Sequence, residues 1–447
     1  MLVVIISIFI LGYLCIALEH RLKINKAATA LVIGVLCWTL YVVDVHGLLS
    51  DDAIPQWFRV EASEEQVDDV ALHFAIENQH LKLTGEIASI LFFLMGAMTI
   101  VELVDAHEGF ALITDRIGTR RKSRLLWTVG GLTFFMSAAL DNLTTTIVMV
   151  SLLKKLIANR EDRLRFVGLV VIAANAGGAW TVIGDVTTTM LWIKHKITTV
   201  AVMQELLLGS AVCLLVPLLV MTWTMRGEVQ RPQRPEANDE KSIEPWHQWV
   251  FLSAGLAGLI SVPVFKGLTH LPPYMGMMLS LGLLWLLSEM ISHTMDEATR
   301  SSTGVLAALR RVDMSSILFF LGILLAVGAL SACGSLHHAS QWLDQMLPNR
   351  AILALVIGLI SAVVDNVPLV AAAIEMYQLP TNDDFWMMLA YCAGTGGSCL
   401  IIGSAAGVAA MGIEHIDFLW YLRRITPLAL VGYLCGAAVV ILQLMLW

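Results

Sequence analysis

The chain has 447 residues, of which 57% are hydrophobic and 14% are charged, and its formal net charge is -8 at neutral pH. Its mean hydropathy is +0.75, whereas soluble domains typically carry about 25% charged residues. The composition therefore excludes a soluble globular protein. It predicts an all-α polytopic membrane protein with the lipid bilayer as its partner and no nucleic-acid partner.

Apolar segments follow one another along the whole chain, and most have the roughly 20 residues that a helix needs to cross a bilayer. The segments are 1–18, 27–43, 83–104, 125–157, 166–193, 203–225, 247–268, 273–292, 314–333, 350–379, 385–412 and 424–447. Residues 2–18 lack the basic start and the small-residue cleavage site of a signal peptide. We therefore expect them to form the first spanning helix.

Segment 125–157 is too long for one crossing, because it would make about 50 Å of helix. Asp141 and Asn142 begin a polar run in its middle, and basic residues flank it on both sides, at 116–124 and 154–165. Under the positive-inside rule both of its ends lie in the cytoplasm. The segment is therefore predicted to be a re-entrant hairpin with Asp141 and Asn142 at its tip.

Segment 350–379 has the same form around Asp365 and Asn366, but its flanks are mostly acidic, which predicts a hairpin open to the outside. The sequence Ile-Leu-Phe-Phe-Leu at 90–94 recurs at 317–321, in the same order relative to each hairpin and glycine motif. We therefore predict two inverted-topology repeats, with about ten spanning helices, two re-entrant hairpins and both termini outside.

The predicted organisation has five parts along the chain. They are N-terminal helices and an external acidic loop (1–82), the first inverted repeat with hairpin 125–157 and broken helix 166–193 (83–225), a cytoplasmic linker (226–246), scaffold helices with a cytoplasmic loop (247–312), and the second inverted repeat with hairpin 350–379 and broken helix 385–412 (314–447).

Segments 166–193 and 385–412 contain residues that interrupt a helix. Each has a Gly-Gly pair, at 177–178 and 396–397, followed by a further glycine, at 184 and 403. Glycine costs about 1 kcal/mol per helix position and permits unwound backbone whose carbonyls can coordinate a cation. Inverted repeats with broken helices are typical of secondary transporters, whose sites lie near mid-membrane.

The polar residues in the hairpin tips and breaks are carboxylates, amides and hydroxyls, which suit hard cations. Neither the tips nor the breaks contain Lys or Arg, so a small cation is favoured over an anion. A carboxylate away from water also binds protons readily. Na⁺ (or Li⁺) and H⁺ can then compete for the same site, which gives antiport without a cofactor or an enzymatic activity.

These motifs resemble the NhaD-type sodium/proton antiporters of the ion transporter superfamily, which also includes arsenite exporters and divalent anion/sodium symporters. The resemblance rests on the Asp-Asn hairpins, on Asn-Ala-Gly-Gly-Ala-Trp-Thr at 175–181 leading into Gly-Asp-Val-Thr-Thr at 184–188, and on the glycine-rich run 394–407. It covers most of the chain from about residue 83. The symporter relatives have Ser-Asn-Thr at their hairpin tips, whereas Asp precedes Asn in both tips here. Cys399 stands where another polar residue is expected.

The resemblance implies Na⁺(Li⁺)/H⁺ exchange, a scaffold with a moving transport domain, elevator-like motion and a homodimer, in a bacterial cytoplasmic (inner) membrane. Its cation-binding and proton-exchanging residues would be Asp141, Asn142, Asn175, Asp185, Thr187, Thr188, Asp365, Asn366, Ser398 and Ser404. Within this set Na⁺ would be held by Asp141, Asn142, Asp185, Asp365 and Asn366.

Several residues have simpler explanations. Asp141 and Asp365 are also suited to cap helices at the hairpin tips. Glu86 and Glu102 either line a proton path or snorkel at helix ends, and the charged stretch around His107 is either a pH sensor or a solvated loop.

Other classes of membrane protein fit less well. The chain lacks the GxxxxGK[ST] motif that a primary pump needs for ATP binding. An intramembrane aspartyl protease would need glycine in place of Val182. A channel does not explain two oppositely opening hairpins. A superfamily anion transporter, either a Na⁺-coupled carboxylate or sulfate symporter or an arsenite exporter, remains the alternative.

Overall fold

The computed structural model describes residues 1–17, 19–49, 54–64, 67–114, 117–232, 244–292, 297–363 and 365–446. In these ranges the regular structure is helical, with one isolated β-bridge between Arg121 and Glu228. Among the described residues, seven helices are long and apolar enough to cross a membrane, and counting one bent helix pair as a span gives eight. The predicted all-helical, multi-span fold class is confirmed. The count of about ten crossings and the re-entrant path of the hairpins stay predictions.

The chain forms two compact units. Unit 1 comprises Met1–Phe92, Asp313–Asn349 and Val367–Leu379, and unit 2 comprises Phe93–Val312, Arg350–Asn366 and Pro380–Trp447. The two units group segments that lie close together in space, whereas the predicted inverted repeats are consecutive stretches of sequence. Those boundaries stay a prediction.

Unit 1 is built around two helices that pack closely, Lys26–Val43 and Met314–Ala332. A Cβ atom on Gly34 would lie 2.5 Å from the carbonyl oxygen of Gly322, and a Cβ on Gly322 would meet the backbone of Ala30. Small residues at this crossing therefore allow backbone-to-backbone contact, as is common between membrane helices. The other helices that lie wholly in unit 1 are Leu2–Ala17, Glu19–Leu22, Val45–Leu48, Gln56–Glu64, Val70–His73, the π-helix Phe74–His80 and Ser335–Met346.

Two helices contribute to both units. Leu81–Ala106 passes into unit 2 after Phe92, and Asn366–Met376 belongs to unit 1 from Val367 onward. The helix Gln56–Glu64 lies inside the segment that the sequence analysis treated as an acidic loop. The loop description was incomplete because charged residues in a short amphipathic helix give no hydropathy signal.

Unit 2 contains both broken helices. The first is Arg160–Ala179 followed by Val186–Ile193, and the second is Asp384–Gly396 followed by Ala405–Glu414. Both predicted interruptions are therefore confirmed. The other helices of unit 2 are Ala111–Thr114, Lys122–Ala139, Asn142–Leu156, Thr199–Thr224, Pro245–Thr269, Pro273–Ser292, Glu297–Thr303, Val305–Arg311, Arg350–Ser361, Phe418–Arg424 and Thr426–Leu446.

The glycines before each break are required by close packing. A Cβ on Gly177 would collide with the backbone of Phe134, and a Cβ on Gly396 would collide with the backbone of Gly358. Neither glycine has a positive φ angle. The Gly-Gly pairs therefore bring each broken helix against the helix that precedes its hairpin tip, Lys122–Ala139 in one half and Arg350–Ser361 in the other.

Candidate functional site

Asp185 ends the first break and begins the helix Val186–Ile193 as its N-cap residue. Its Oδ1 accepts hydrogen bonds from the backbone N–H of Thr187 at 2.8 Å and from the Thr187 hydroxyl at 2.5 Å. The residue is only 2% exposed. Because the N-terminus of a helix offers free N–H donors and a partial positive charge, it stabilises a carboxylate at this position.

Asn142 connects the hairpin to this carboxylate. It is the first residue of helix Asn142–Leu156 and is buried. Its Nδ2 donates to Asp185 Oδ2 at 2.8 Å and to Asn175 Oδ1 at 3.0 Å. The side-chain amide therefore holds together the hairpin tip, the first half of the broken helix and the carboxylate at the start of its second half.

Asn175 extends this hydrogen-bonded group to the second half of the unit. Its Nδ2 donates to the hydroxyls of Ser398 and Ser404, both at 2.9 Å, and its side chain is fully buried. Ser404 is the N-cap residue of helix Ala405–Glu414. Asn175 therefore joins the two breaks, and we call Asn142, Asn175, Asp185, Ser398 and Ser404 the amide junction.

The two halves of unit 2 have matching local contacts. The Ser137 hydroxyl donates to the carbonyl of Ala174 at 2.6 Å. The Ser361 hydroxyl lies 3.3 Å from the corresponding carbonyl of Ala393, although its nearer acceptor is the Gly358 carbonyl of its own helix at 2.9 Å. Asn366, the counterpart of Asn142, is buried and donates to the same Ala393 carbonyl at 3.4 Å. Asp185 and Ser404 are likewise both N-cap residues of the second half-helix. Hence the two halves share a local architecture, but only the first has a carboxylate at the cap.

Asp141 bonds within its own turn. Its Oδ1 accepts from the backbone N–H of Thr144 at 2.7 Å and its Oδ2 from the Thr144 hydroxyl at 2.8 Å. It is therefore a helix cap, which is the simpler of its two sequence interpretations and is compatible with ion binding. Asp365 is partly buried directly before Asn366.

The described part of the chain contains no group of three or more His, Cys, Asp or Glu side chains that could hold a metal ion. A cation in unit 2 would therefore rely on amide, hydroxyl and carbonyl oxygens besides carboxylates. This donor set suits Na⁺ or Li⁺, which are hard cations, better than a transition metal.

Three buried hydroxyls near the amide junction have no hydrogen-bond partner among the described residues. They belong to Thr188, which the sequence analysis included, and to Thr145 and Thr146, which it missed. The signal that was available is their spacing, since residues three and four positions after Asn142 share its helix face.

The residues proposed for a proton path lie elsewhere. Glu86 lines a polar cavity of about 280 Å³ within unit 1, together with Lys82 and Glu375. Glu102 is partly buried near the end of helix Leu81–Ala106. Neither residue belongs to the amide junction, so a role for either in proton transfer stays a prediction.

His107 does not lie in a solvated loop, so that interpretation is wrong for this residue. It is 1% exposed, its ring stacks on Phe251 with the centroids 3.4 Å apart, and its Nδ1 lies 2.9 Å from the carbonyl oxygen of Leu103. The pKa of His107 is lowered from 6.5 to about 4, chiefly by burial; the hydrogen bond to Leu103 opposes the shift, and the neighbouring His247 contributes to it. Sensing of pH by His107 stays a prediction.

A buried ion pair fixes the end of the second broken helix to the first half of unit 2. Arg163 Nε lies 3.0 Å from both carboxylate oxygens of Glu414, and Lys154 Nζ donates to the carbonyl of Ile413 at 2.9 Å. The side chain of Glu414 is 2% exposed. Positive groups at this helix C-terminus also interact favourably with its dipole.

The chain is similar to known membrane transporters. A family model described as a citrate transporter, CitMHS, matches residues 13–384. Sodium/proton antiporter 1 of Arabidopsis thaliana is 47% identical over 96% of this chain and 70% of its own length. Sodium/proton antiporter 2 of the same plant is 43% identical over 96% of each chain. The Na⁺/H⁺ antiporter NhaD of Vibrio cholerae is 30% identical over 98% of this chain and 90% of its own length.

This chain belongs to the NhaD-type sodium/proton antiporter family. The resemblance found in its motifs is therefore confirmed. In this NhaD-type chain, residues of the first hairpin and of both glycine-rich runs meet in the amide junction of unit 2.

Proposed function

We propose that this chain is a secondary active transporter that exchanges Na⁺ or Li⁺ for H⁺ across the membrane. The observation that carries the proposal is the amide junction, in which the buried Asp185 carboxylate accepts from Asn142 at the hairpin tip, and Asn142 is linked through Asn175 to the hydroxyls of the second break. Such groups bind a small cation through oxygen. The names of the Arabidopsis and Vibrio relatives support the same substrates.

The proposed mechanism uses one negative charge in two ways. The Asp185 carboxylate is occupied either by the cation or by a proton, and the transport domain changes access only when that charge is neutralised. Moving an unneutralised carboxylate through the hydrocarbon core would be costly, so a return without cargo is suppressed. No cofactor is needed, because the ion gradients supply the free energy.

The remaining site residues enter the proposal with defined roles. Asp141, Asp365 and Asn366 provide further oxygen ligands at the two hairpin tips, and Thr187 and Thr188 provide hydroxyls beside Asp185. The Na⁺ site would thus draw on Asp141, Asn142, Asp185, Asp365 and Asn366. Glu86, Glu102 and His107 remain candidates for proton transfer or pH sensing.

The finer architecture belongs to the same proposal. It comprises two inverted repeats, re-entrant hairpins, about ten crossings, both termini outside, and a homodimer whose transport domains move by an elevator-like displacement. The matching contacts of Ser137 and Ser361 support an internal repeat.

We place the protein in a bacterial cytoplasmic membrane because relatives such as NhaD of Vibrio cholerae and Halomonas elongata are bacterial. The two Arabidopsis relatives have higher sequence identity. Fractionation of a tagged chain from its source organism would decide the location.

A carboxylate transporter is the second candidate, because the matching family model is described as a citrate transporter. An anionic substrate requires positive charge at the site. The hairpin tips and breaks contain no Lys or Arg, so helix N-termini and co-bound cations would have to supply all of it. The cation exchanger is therefore favoured.

The test is transport in proteoliposomes. A pH gradient should drive uptake of ²²Na⁺, while labelled citrate or succinate should not accumulate under either a pH or a Na⁺ gradient. Citrate accumulation without Na⁺/H⁺ exchange would refute the proposal.

Site variants test the assignment of the carboxylates. Asp185→Asn, Asp141→Asn and Asp365→Asn should each abolish Na⁺-dependent proton movement while the protein stays folded in membranes. Asp417→Asn is the matched control, because Asp417 is an exposed N-cap residue and asparagine caps helices equally well. Full exchange in all three site variants would remove the site assignment.

A further inference from the structure

Threonines inside the helices of this protein usually satisfy their hydroxyl by donating to the carbonyl one turn earlier. Examples are Thr39, Thr84, Thr99, Thr128, Thr133, Thr222, Thr269 and Thr395. This local bond requires no ligand and no neighbouring helix. A buried threonine hydroxyl in a helix is therefore normally satisfied by its own helix.

Thr145 and Thr146 do not follow this pattern. Both are fully buried, and neither hydroxyl has a hydrogen-bond partner among the described residues. The preceding Thr144 differs, since its hydroxyl donates to Asp141. Burying an unsatisfied hydroxyl is unfavourable, whereas valine has nearly the same shape and no such penalty. Two threonines here therefore cost stability unless a bound species uses their oxygens.

The position of the two hydroxyls indicates what that species is. Thr145 and Thr146 lie three and four residues after Asn142, so all three share the buried face of one helix. The Asn142 amide on this face donates to Asp185. The helix packs against Arg160–Ala179, which leads into the first break, and against Ala405–Glu414, which follows the second.

We infer that the hydroxyl oxygens of Thr145 and Thr146 are direct ligands of the transported cation and determine its selectivity. The inference rests on the proposed function, because it assigns two further ligands to the same site. A hydroxyl group that neither donates to nor accepts from a protein group is free to turn its oxygen lone pairs toward a cation. Hydroxyl oxygens that replace hydration water select for ionic size, so these two residues discriminate between Li⁺ and Na⁺.

The experiment replaces each hydroxyl by a methyl group, in Thr145→Val and Thr146→Val. The matched control is Thr133→Val, because Thr133 is equally buried but its hydroxyl donates to the carbonyl of Val129 at 2.6 Å. For each purified variant, the thermal midpoint without Na⁺ and Li⁺ is measured first. The KM and maximal rate for Na⁺ and for Li⁺ are then measured in proteoliposomes.

The two site variants should have a thermal midpoint equal to or above that of the wild type, because each loses an unsatisfied hydroxyl. Their KM for Na⁺ should rise about tenfold, equivalent to about 1.4 kcal/mol, with the maximal rate largely retained and the ratio of KM values for Li⁺ and Na⁺ changed. Thr133→Val should lower the midpoint and leave both KM values unchanged.

Unchanged KM values in both site variants would overturn the inference. An equal rise for Na⁺ and Li⁺ would overturn direct coordination, since it indicates a bound water that serves both ions. If a valine variant does not fold, serine and alanine are compared at the same position. Serine should keep the wild-type KM and alanine should raise it, and equal values would contradict the inference. Absence of exchange in the wild type itself would instead refute the proposed function.

Discussion

Asn175 is the residue whose replacement should most directly separate the two halves of unit 2. Its side chain takes part in three hydrogen bonds, one from Asn142 and one each to Ser398 and Ser404, and is fully buried. At about 1 kcal/mol net for each bond, Asn175→Ala should destabilise the protein by about 3 kcal/mol before any cost of the cavity is added. For a chain of 447 residues the apparent thermal midpoint should fall by about 3 °C.

The same replacement should also abolish exchange, because Asn175 orients the amide that contacts Asp185. Removing the Asn175 oxygen leaves Asn142 free to rotate, and the donor to Asp185 Oδ2 is then no longer fixed. The assay is Na⁺-dependent proton movement in everted membrane vesicles, alongside thermal unfolding in detergent. Loss of both stability and exchange is expected.

A double-mutant cycle isolates the contact between the two halves. Ser404→Ala alone removes one of the three bonds, so the double variant with Asn175→Ala should be about 1 kcal/mol more stable than the sum of the single effects predicts. The control pair is Asn175→Ala with Thr222→Ala, because Thr222 bonds only to its own helix and should give additive effects. Additivity in both cycles, together with normal exchange in Asn175→Ala, would refute the amide junction as the link between the breaks.

Two further predictions concern packing and pH. Gly177→Ala should lower the free energy of unfolding by about 1 to 3 kcal/mol or more through overpacking, because the new Cβ collides with the Phe134 backbone. The control Gly131→Ala should be neutral or stabilising, since no atom lies within 4 Å of its Cβ. Equal thermal midpoints for the two variants would contradict the close-approach argument. Burial lowers the pKa of His107 from 6.5 to about 4, so between these pH values the unfolded chain binds more protons than the folded chain. The free energy of unfolding should therefore fall as the pH drops from 6.5 to 4, and level off below pH 4. His107→Gln should flatten the dependence of the thermal midpoint on pH in this range, and an unchanged slope would count against it.

Hydropathy located the helices well because membrane spans are long and uniformly apolar. The predicted segment 203–225 corresponds to Thr199–Thr224, and 273–292 corresponds to Pro273–Ser292. Hydropathy did not predict the helices Gln56–Glu64 and Ser335–Met346, because their charged and polar residues interrupt the run of apolar residues.

The breaks were predictable because each has a local cause. Glycine pairs weaken the helix and a polar cap restarts it, so the residues at 177–178 and Asp185 were sufficient to locate the first break. The structure adds that the glycines are also required for contact with the preceding helix. No local sequence pattern predicts that contact, because the neighbouring helix is determined by the packing of the whole unit.

The five residues of the amide junction were predicted from the sequence, but the bonds between them could not be. Asn175 and Ser398 are 223 residues apart, and nothing local to either residue indicates that they bond. Conversely, both carboxylate oxygens of Asp141 accept hydrogen bonds from Thr144 in its own turn. Long-range pairing and local capping compete for the same polar groups, and only the folded arrangement shows which one prevails.

The arrangement around Asp185 also bears on how a cation is released. The carboxylate already accepts three hydrogen bonds, two from Thr187 and one from Asn142, and lies at a helix N-terminus that stabilises its negative charge. A carboxylate left bare in the same place would hold its cation too tightly for turnover, because charge attraction is strong in a low-dielectric interior. Under the proposed function, these donors would weaken cation binding toward a level at which a proton can displace the cation.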